Sequence, residues 1–195
     1  MTGITPLALI HKKGIFGDHQ KKNESDLLKI SEVKNLVVIQ IVQYKKSKIN
    51  ISDIKIEGLE IPTQNSKVNS NKETRILWNA PRTWLILSSK DNTIEAVQKT
   101  LKETDFAITD ISHSRAVIQI QGDQAIEILK KGSPINFNEF SVNQCAGTVF
   151  HGITIIIDSI SDNPDIFNIL VLRSFGESLY HHITDAALEF GYVGI

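Results

Sequence analysis

Short runs rich in β-branched residues recur along this chain, and single amphipathic helical segments separate only some of them. A strand that follows another strand directly pairs with it in antiparallel fashion, because a parallel crossover needs a connection of a dozen or more residues. The mixed order therefore predicts an α+β fold, with helices on one face of a largely antiparallel sheet. The predicted strands cover residues 36–42, 75–78, 84–87, 107–111, 116–120, 148–150, 153–157 and 166–172.

Three segments are predicted to be helical, and the last of them is the clearest element of the sequence. Residues 91–102 carry an apolar stripe with helical period, and residues 123–131 form a second helix that Gly132 is expected to end in a left-handed conformation. In the last helix, Ser174 and Glu177 have the spacing of a capping box, and Gly191 marks the end. Its buried face is expected to consist of Phe175, Leu179, Ile183, Ala187 and Phe190.

The pattern changes near residue 35, which suggests a boundary. Residues 1–34 are polar, rich in lysine and weakly patterned, so we expect an N-terminal arm that is extended or partly disordered. Residues 35–195 are expected to form a single α+β domain. An apolar fraction of 41% and a charged fraction of 22% are typical of a globular chain that buries its own core.

Charge and cysteine content exclude several classes of function. A formal net charge of −1 gives no reason to expect nucleic acid or an anionic membrane as partner. Cys145 is the only cysteine, which excludes an internal disulfide and every zinc motif built on paired cysteines. A lone cysteine, the lack of a signal-peptide pattern and the lack of a long apolar run together predict a cytoplasmic protein.

A search for catalytic motifs gives a negative result. The sequence has no G-x-S-x-G elbow, no Walker loop and no G-x-G-x-x-G fingerprint. His181 and Asp185 lie one helical turn apart, but a solvated surface pair explains them better than a metal site. Ser114 with His113 is a poor nucleophile and base pair, because adjacent strand residues point to opposite faces. We therefore assign no catalytic, cofactor-binding or metal-binding residue.

Three further residues are open to more than one interpretation. Trp84 lies beside a predicted hairpin turn at residues 79–82, where it either packs in the core or contacts a partner, and stacking on a pterin is a weaker option. Arg173 lies before a helix N-terminus, where it either binds an anion or pairs with a carboxylate or a partner chain. Cys145 is interpreted as a small buried residue rather than a reactive thiolate.

Five short motifs, in this order, resemble those of the gamma subunits of heterotetrameric sarcosine oxidases. They run over residues 75–191, well over half of the chain. Ser133 and Asn136 stand where the family has Cys and Asp, and the turn before Trp84 lacks the family's Gly. The arm and the loop at residues 63–72 also depart from the family. The motifs are Asn79-Ala80-Pro81-Arg82-Thr83-Trp84-Leu85, Asp110-Ile111-Ser112-His113-Ser114-Arg115, Lys131-Gly132-Ser133-Pro134-Ile135-Asn136, Cys145-Ala146-Gly147-Thr148, and Arg173-Ser174-Phe175 with Ala187-Leu188-Glu189-Phe190-Gly191.

The resemblance implies a fold like the folate-binding domain of aminomethyltransferases, with ferredoxin-like split βαβ pieces. It also implies a complex with alpha, beta and delta subunits that converts sarcosine to glycine, with methylene-tetrahydrofolate and hydrogen peroxide as further products. In such complexes FAD, FMN, NAD and tetrahydrofolate are bound by the alpha and beta subunits and zinc by delta, while gamma binds none of them. The role implied for this chain is structural, with alpha as its most direct partner.

The expected contacts with the partner are Arg115, Arg173, Trp84 and the arm from Pro6 to Phe16. Three alternatives stay open. The chain could be a stand-alone folate-binding protein of the aminomethyltransferase-like class, although the Lys-x-Cys-Tyr-x-Gly-Gln stretch of one such branch is absent. It could belong to an oxidase or demethylase of another N-methylated amine, or it could be a scaffold with no link to amines.

Overall fold

The computed structural model of this chain describes residues 4–20 and 22–195. Short single turns of 3-10 helix connect several of the longer elements. The strands and α-helices of the described residues are β1 (Gly14–Phe16), β2 (Leu28–Glu32), β3 (Val37–Gln43), β4 (Lys55–Ile56), β5 (Leu59–Glu60), β6 (Val68–Ser70), β7 (Thr74–Ala80), β8 (Thr83–Ser88), α1 (Thr93–Thr100), β9 (Phe106–Asp110), β10 (Arg115–Gln121), α2 (Ala125–Gly132), β11 (Cys145–Phe150), β12 (Ile153–Asp162), β13 (Asp165–Leu172), α3 (Gly176–Ala187) and β14 (Tyr192–Gly194).

The chain divides into two compact units. The first unit comprises residues 1–34, 114–142 and 147–195, and the second comprises residues 35–113 and 143–146. Each unit contains a mostly antiparallel sheet and one or two helices. These features confirm the predicted α+β class.

The first unit is built on a seven-stranded sheet with the order β1-β14-β2-β10-β13-β12-β11. β10 is antiparallel to both β2 and β13, and β14 is parallel to β2. It follows that β13 and β14, which α3 connects, run in the same direction with two strands between them. This is a split βαβ connection of the kind found in ferredoxin-like folds.

Helices α2 and α3 cover one face of this sheet. Ala116, Ile118 and Ile120 of β10 alternate toward that face, as the two-residue period of a strand requires. Ile128 and Leu129 of α2 pack into the same core, together with Leu179 and Ile183 of α3. The helices therefore lie on one face of the sheet of this unit, as predicted.

The second unit has a five-stranded antiparallel sheet with the order β6-β7-β8-β3-β9, and β4 and β5 form a separate hairpin. Because β3 is antiparallel to both of its neighbours, β8 and β9 run in the same direction on either side of it. Helix α1 connects β8 to β9, so this unit also contains a split βαβ connection. Ile39, Ile41 and Ile86 of the sheet pack against Val97 of the helix.

The structure departs from the predicted division of the chain at residue 34. The described part of the arm belongs to the first unit, where β2 lies between β14 and β10 and β1 pairs with β14. Residues 1–3 and 21 of the predicted arm lie outside the described residues. The division after residue 34 also differs, because residues 35–195 contribute to both units.

A buried carboxylate attaches the first residues of the arm to the sheet. Glu32, at the end of β2, accepts hydrogen bonds from Thr5 Oγ1 at 2.7 Å and from the Leu7 backbone N–H at 3.1 Å. The Leu7 side chain is completely buried in the core of the first unit. Further along the arm, the Asp18 N–H donates to the carbonyl of Leu188, just beyond α3, at 2.7 Å.

Two predicted helix ends differ from the structure, and one is confirmed. Gly132 is the last residue of α2 and has no positive φ, so it is not a left-handed cap. Ser174 and Glu177 form no capping box, because α3 begins at Gly176 after a 3-10 turn and its N-cap residue is Phe175, which makes no side-chain cap hydrogen bond. Gly191 follows the last helix with a φ of 69°, as the sequence predicted.

The position of Leu7 gives a direct test of the arm's attachment. Replacing Leu7 with Ala should lower the free energy of unfolding by about 2–5 kcal/mol, because the change leaves a cavity in the core. Leu9 is 94% exposed, so Leu9→Ala is the matched control and should change this free energy by less than about 0.5 kcal/mol. Urea denaturation measures both values. Equal effects of the two substitutions would show that Leu7 is not in the core.

Candidate functional site

Lys131 joins two of the short motifs. Its ammonium group donates to the Ala186 carbonyl at 2.6 Å and lies 2.7 Å from Glu189 Oε1. The same group lies over the Phe190 ring, 4.6 Å from the ring centroid. A cation is favourable at the C-terminal end of a helix, where unpaired carbonyls carry partial negative charge. The Lys-Gly motif and the final Ala-x-Glu-Phe-Gly motif therefore hold α2 and α3 together.

Two other motif residues also serve internal packing. Ser133 Oγ lies 3.3 Å from Thr148 Oγ1, so the third and fourth motifs meet within the first unit. In the second unit, the buried thiol of Cys145 donates to the Trp78 carbonyl at 3.1 Å. Cys145 is thus a small buried residue, as its lack of cationic sequence neighbours indicated.

Asp110 is the last residue of β9, the edge strand of the second unit, and Ser112 lies in the turn that follows it. Asp110 Oδ1 accepts from Ser112 Oγ at 2.6 Å and from the Ser112 N–H at 2.9 Å. Ser112 Oγ in turn accepts from the Val38 N–H at 2.9 Å, which ties β9 to β3. The hydrogen bonds from the Ser112 side chain and backbone hold the pKa of Asp110 below its ordinary value, since they stabilise the ionised form.

Arg173 contacts the arm of its own chain, a contact that neither of its two interpretations from sequence included. Its guanidinium donates to the backbone carbonyl of Ile4. Pro6 lies close by, with its Cβ 3.6 Å from the place that a Cβ on Gly176 would occupy. Arg173 therefore holds a segment of its own chain, and its exposed position leaves it accessible.

Arg115 is half-buried and has no internal counter-ion. It lies at the start of β10, directly opposite Leu172 of β13, so both side chains lie on the same face of the sheet. Burial lowers the pKa of the Arg115 guanidinium. Within residues 4–20 and 22–195 this guanidinium makes no hydrogen bond or ion pair.

At least one exposed apolar side chain adjoins each of these two arginines, Leu172 opposite Arg115 and Ile4 beside Arg173. Leu172 is 45% exposed, Phe175 is 47% exposed and Ile4 is 73% exposed. Ile4 is joined to Arg173 by the hydrogen bond above, and Leu172 and Phe175 are its near neighbours in the chain. The Arg173 surface, defined as Ile4, Arg115, Leu172, Arg173 and Phe175, combines uncovered apolar area with two guanidinium groups.

The other two predicted contact residues have different positions. Phe16 is half-buried and stacks on Tyr192, with 5.2 Å between ring centroids. Trp84 is only 3% exposed in the core of the second unit, and its indole N–H donates to the Pro62 carbonyl at 2.7 Å. Trp84 is therefore a core residue rather than a partner contact, because its whole side chain is covered by its own unit.

The histidine pairs considered from sequence do not form a catalytic group. His181 Nε2 lies 3.8 Å from Glu177, the residue one turn earlier on α3, and both side chains are exposed. His113 and Ser114 lie in a 3-10 turn. Among the described residues no group of three or more His, Cys, Asp and Glu is placed to hold a metal ion. No helix in that part of the chain is long and apolar enough to cross a membrane.

Sequence reasoning missed two residues on which the first unit depends. Lys131 was noted only as part of a motif, and Glu32 was not singled out at all. Their partners lie far away in the chain, 55 residues from Lys131 for Ala186 and 25 residues from Glu32 for Leu7. The periodic pattern of apolar residues in a short stretch of sequence does not predict such contacts. The one available signal for Glu32 was its place at the third alternating position of the Leu28-x-Ile30-x-Glu32 pattern.

The fold belongs to a class that includes aminomethyltransferases. The chain is similar, over 80% of its length with a TM-score of 0.60 and 12% identity, to the glycine cleavage system aminomethyltransferase T from Bartonella henselae, of which it covers 45%. It is also similar to a chain of the heterotetrameric sarcosine oxidase from Corynebacterium sp. U-96 in complex with pyrrole 2-carboxylate. That similarity covers 97% of both chains, with a TM-score of 0.82 and 21% identity.

A model of the family described as "Sarcosine oxidase, gamma subunit family" matches residues 49–189, and the chain belongs to this family. It is 28% identical over 120 residues to the sarcosine oxidase subunit gamma of Corynebacterium sp. (strain U-96), covering 60% of this chain and 58% of that relative. It is 26% identical over 137 residues to that of Corynebacterium sp. (strain P-1), covering 68% and 66%. The resemblance seen in the five motifs is thereby confirmed.

The contribution of Lys131 to stability can be tested by comparison with the neighbouring Lys130. Lys131→Met should lower the free energy of unfolding by about 1–2 kcal/mol, because it removes a charge-assisted hydrogen bond to a helix end. Lys130 pairs with Glu127 on the exposed side of the same helix, so Lys130→Met is the control and should have little effect. Thermal and urea denaturation measure the stability of both variants. Equal losses of stability would contradict the role of Lys131 in holding α2 and α3 together.

The lowered pKa of Asp110 predicts a pH-dependent contribution to stability. The ionised carboxylate stabilises the fold above its ordinary pKa of 3.8, and this contribution is lost as the pH falls through the lowered folded-state pKa. Asp110→Asn should therefore be less stable than the wild type at pH 7, with a difference that shrinks toward pH 3. Denaturation midpoints across this range measure it. A difference that is constant with pH would exclude the ionised form as the cause.

Proposed function

We propose that this chain is a non-catalytic gamma subunit of a heterotetrameric sarcosine oxidase, with a structural role in assembly. Its membership of the gamma subunit family supports this proposal. The motif contacts support it as well, because Lys131, Ser133 and Asp110 all bind residues of their own unit. These side chains stabilise the fold and do not converge on a substrate.

The observation that carries the proposal is the half-buried guanidinium of Arg115, which pairs with none of the described residues. A partly desolvated charge without a counter-ion is unfavourable, and a carboxylate from a partner chain would correct this. Arginine and aromatic residues are enriched at protein interfaces, and Phe175 and Arg173 lie on the same surface. The Arg173 surface therefore docks against a partner subunit, with Arg115 paired to an acidic group of that subunit.

The complex converts sarcosine to glycine and forms methylene-tetrahydrofolate and hydrogen peroxide. FAD, FMN, NAD and tetrahydrofolate are bound by the alpha and beta subunits and zinc by delta, and alpha is the most direct partner of this chain. The complex acts in the cytoplasm, where a lone buried thiol such as that of Cys145 stays reduced. This part of the proposal rests on the family and on the resemblance of the five motifs.

Reversing the two arginines tests the docking surface. When the chain is co-expressed with the products of its neighbouring genes, the Arg115→Glu, Arg173→Glu double variant should lose at least about 90% of the co-purifying large flavin-bearing subunit, since a buried like-charge contact costs several kcal/mol. Lys130→Glu on α2 reverses one exposed charge away from this surface; it is the control for charge reversal and should co-purify normally. Flavin absorbance and sarcosine-dependent peroxide formation of the purified material are measured together.

A second variant separates weak docking from poor folding. Arg115→Leu replaces the charge with an apolar side chain that suits a strand, so the variant should fold, as far-ultraviolet circular dichroism will show. It should nevertheless bind the partner less tightly than the wild type. Unchanged co-purification of the folded double variant would overturn the proposed surface. Micromolar binding of a reduced folate by the chain alone, measured by calorimetry, would instead favour a stand-alone folate-binding protein.

A further inference from the structure

We propose that His151 and His182 form a two-histidine site for a divalent transition-metal ion such as Ni²⁺, Zn²⁺ or Cu²⁺. His151 lies in the tight turn between β11 and β12, and His182 lies on α3. Their imidazole ring centroids lie 5.0 Å apart, and the ring planes are inclined by 30°. Both residues are exposed, so an ion from solution reaches the rings directly.

The nitrogens of these two rings are free to bind. Within the described part of the chain, neither imidazole makes a hydrogen bond or an ion pair. Other histidines differ in this respect. The ring nitrogens of His11 contact Tyr180 Oη at 3.1 Å and the Ile195 carbonyl at 2.8 Å, and His181 lies near the Glu177 carboxylate. Only solvent therefore competes for the nitrogens of the His151–His182 pair.

The position of His151 is fixed by its surroundings. Its φ of 46° is left-handed, and its backbone N–H donates to the Gly132 carbonyl at 3.0 Å. A Cβ on Gly132 would lie 2.9 Å from both the His151 ring and the buried Phe150 ring, so a glycine is needed at this position. The Phe150 and His151 rings meet edge to face, with 4.9 Å between centroids. A ring held in this way loses little further conformational entropy when it binds a ligand.

The spacing of the rings fits a shared ion. Imidazole nitrogen binds Zn²⁺ at about 2.0–2.1 Å, which places the centroids of two rings on one tetrahedral ion about 5 Å apart. Imidazole is also a preferred ligand of Ni²⁺ and Cu²⁺. Since the described residues offer no third ligand of the usual kinds, the chain supplies two ligands and water fills the other positions. This is an open, exchangeable site rather than a structural zinc centre.

Titration of the untagged chain with NiCl₂ by isothermal calorimetry tests this site. The wild type should bind one Ni²⁺ per chain, with weaker binding at lower pH because protons compete for the nitrogens. His182→Gln and His151→Asn should each raise the Kd at least tenfold. Asparagine is chosen because it tolerates the left-handed backbone at residue 151. His181→Gln is the matched control, an adjacent exposed histidine outside the pair, and should leave the Kd unchanged.

Thermal denaturation gives an independent reading of the same site. Excess Ni²⁺ should raise the Tm of the wild type and of His181→Gln, because a ligand that binds only the folded state stabilises it. It should not raise the Tm of His151→Asn or His182→Gln. Equal Ni²⁺ affinity in all four proteins, or an equal loss in His181→Gln and His182→Gln, would overturn the proposal. Because the isolated chain is used, this result is separate from that of the co-purification experiment.

Discussion

The buried carboxylate of Glu32 determines where the N-terminal part of the chain packs in the first unit. By accepting hydrogen bonds from Thr5 and from the Leu7 N–H, it fixes a tight turn that places the Leu7 side chain in the core of the first unit. The same turn brings Ile4 to Arg173 and His11 to Tyr180. Without this carboxylate, Thr5 Oγ1 and the Leu7 N–H would lose their hydrogen-bond acceptor, which would weaken the turn that brings Ile4 to Arg173.

The sequence predicted elements whose cause is local. The β-branched run at residues 36–42 appears as β3, shifted by one residue, because such side chains fit a buried strand wherever it lies. The hairpin turn that includes Pro81 was found for a similar reason, since proline fixes the φ that the turn requires. The arginines of the candidate surface were identified from the short motifs, not from a periodic pattern of hydrophobic residues.

What the sequence could not predict depends on contacts between distant residues. β2 was placed in an arm expected to be extended or partly disordered, because its lysine and serine mask the three alternating buried positions. Trp84 was considered for a partner surface, yet a carbonyl 22 residues away holds its indole inside the second unit. Gly132 was interpreted as a helix cap from its position alone, whereas its real constraint is the close approach of the Phe150 and His151 rings.

The same contacts explain what several of the short motifs do in this chain. Lys131 serves α2, α3 and the turn beyond α3 at once, so any replacement affects three elements. Arg115 is the exception among the motif residues, because its charge finds no partner within the described chain. The first unit is thus held together by its own motif residues, and the surface that we propose for docking carries the remaining charge.

Hydrogen–deuterium exchange, compared between the free chain and the assembled complex, tests whether the first unit is preformed and where it docks. In a preformed unit the amides of Leu7, Ile10 and His11 exchange slowly in the free chain, because they are bonded to Glu32 or to the Leu7 carbonyl. Docking through the Arg173 surface adds protection in the complex at residues 172–175 and none on the exposed side of α1. Exchange of the Leu7 amide at the rate of an unstructured peptide would show that the arm is not packed, and a lack of added protection at residues 172–175 would show that this surface does not dock.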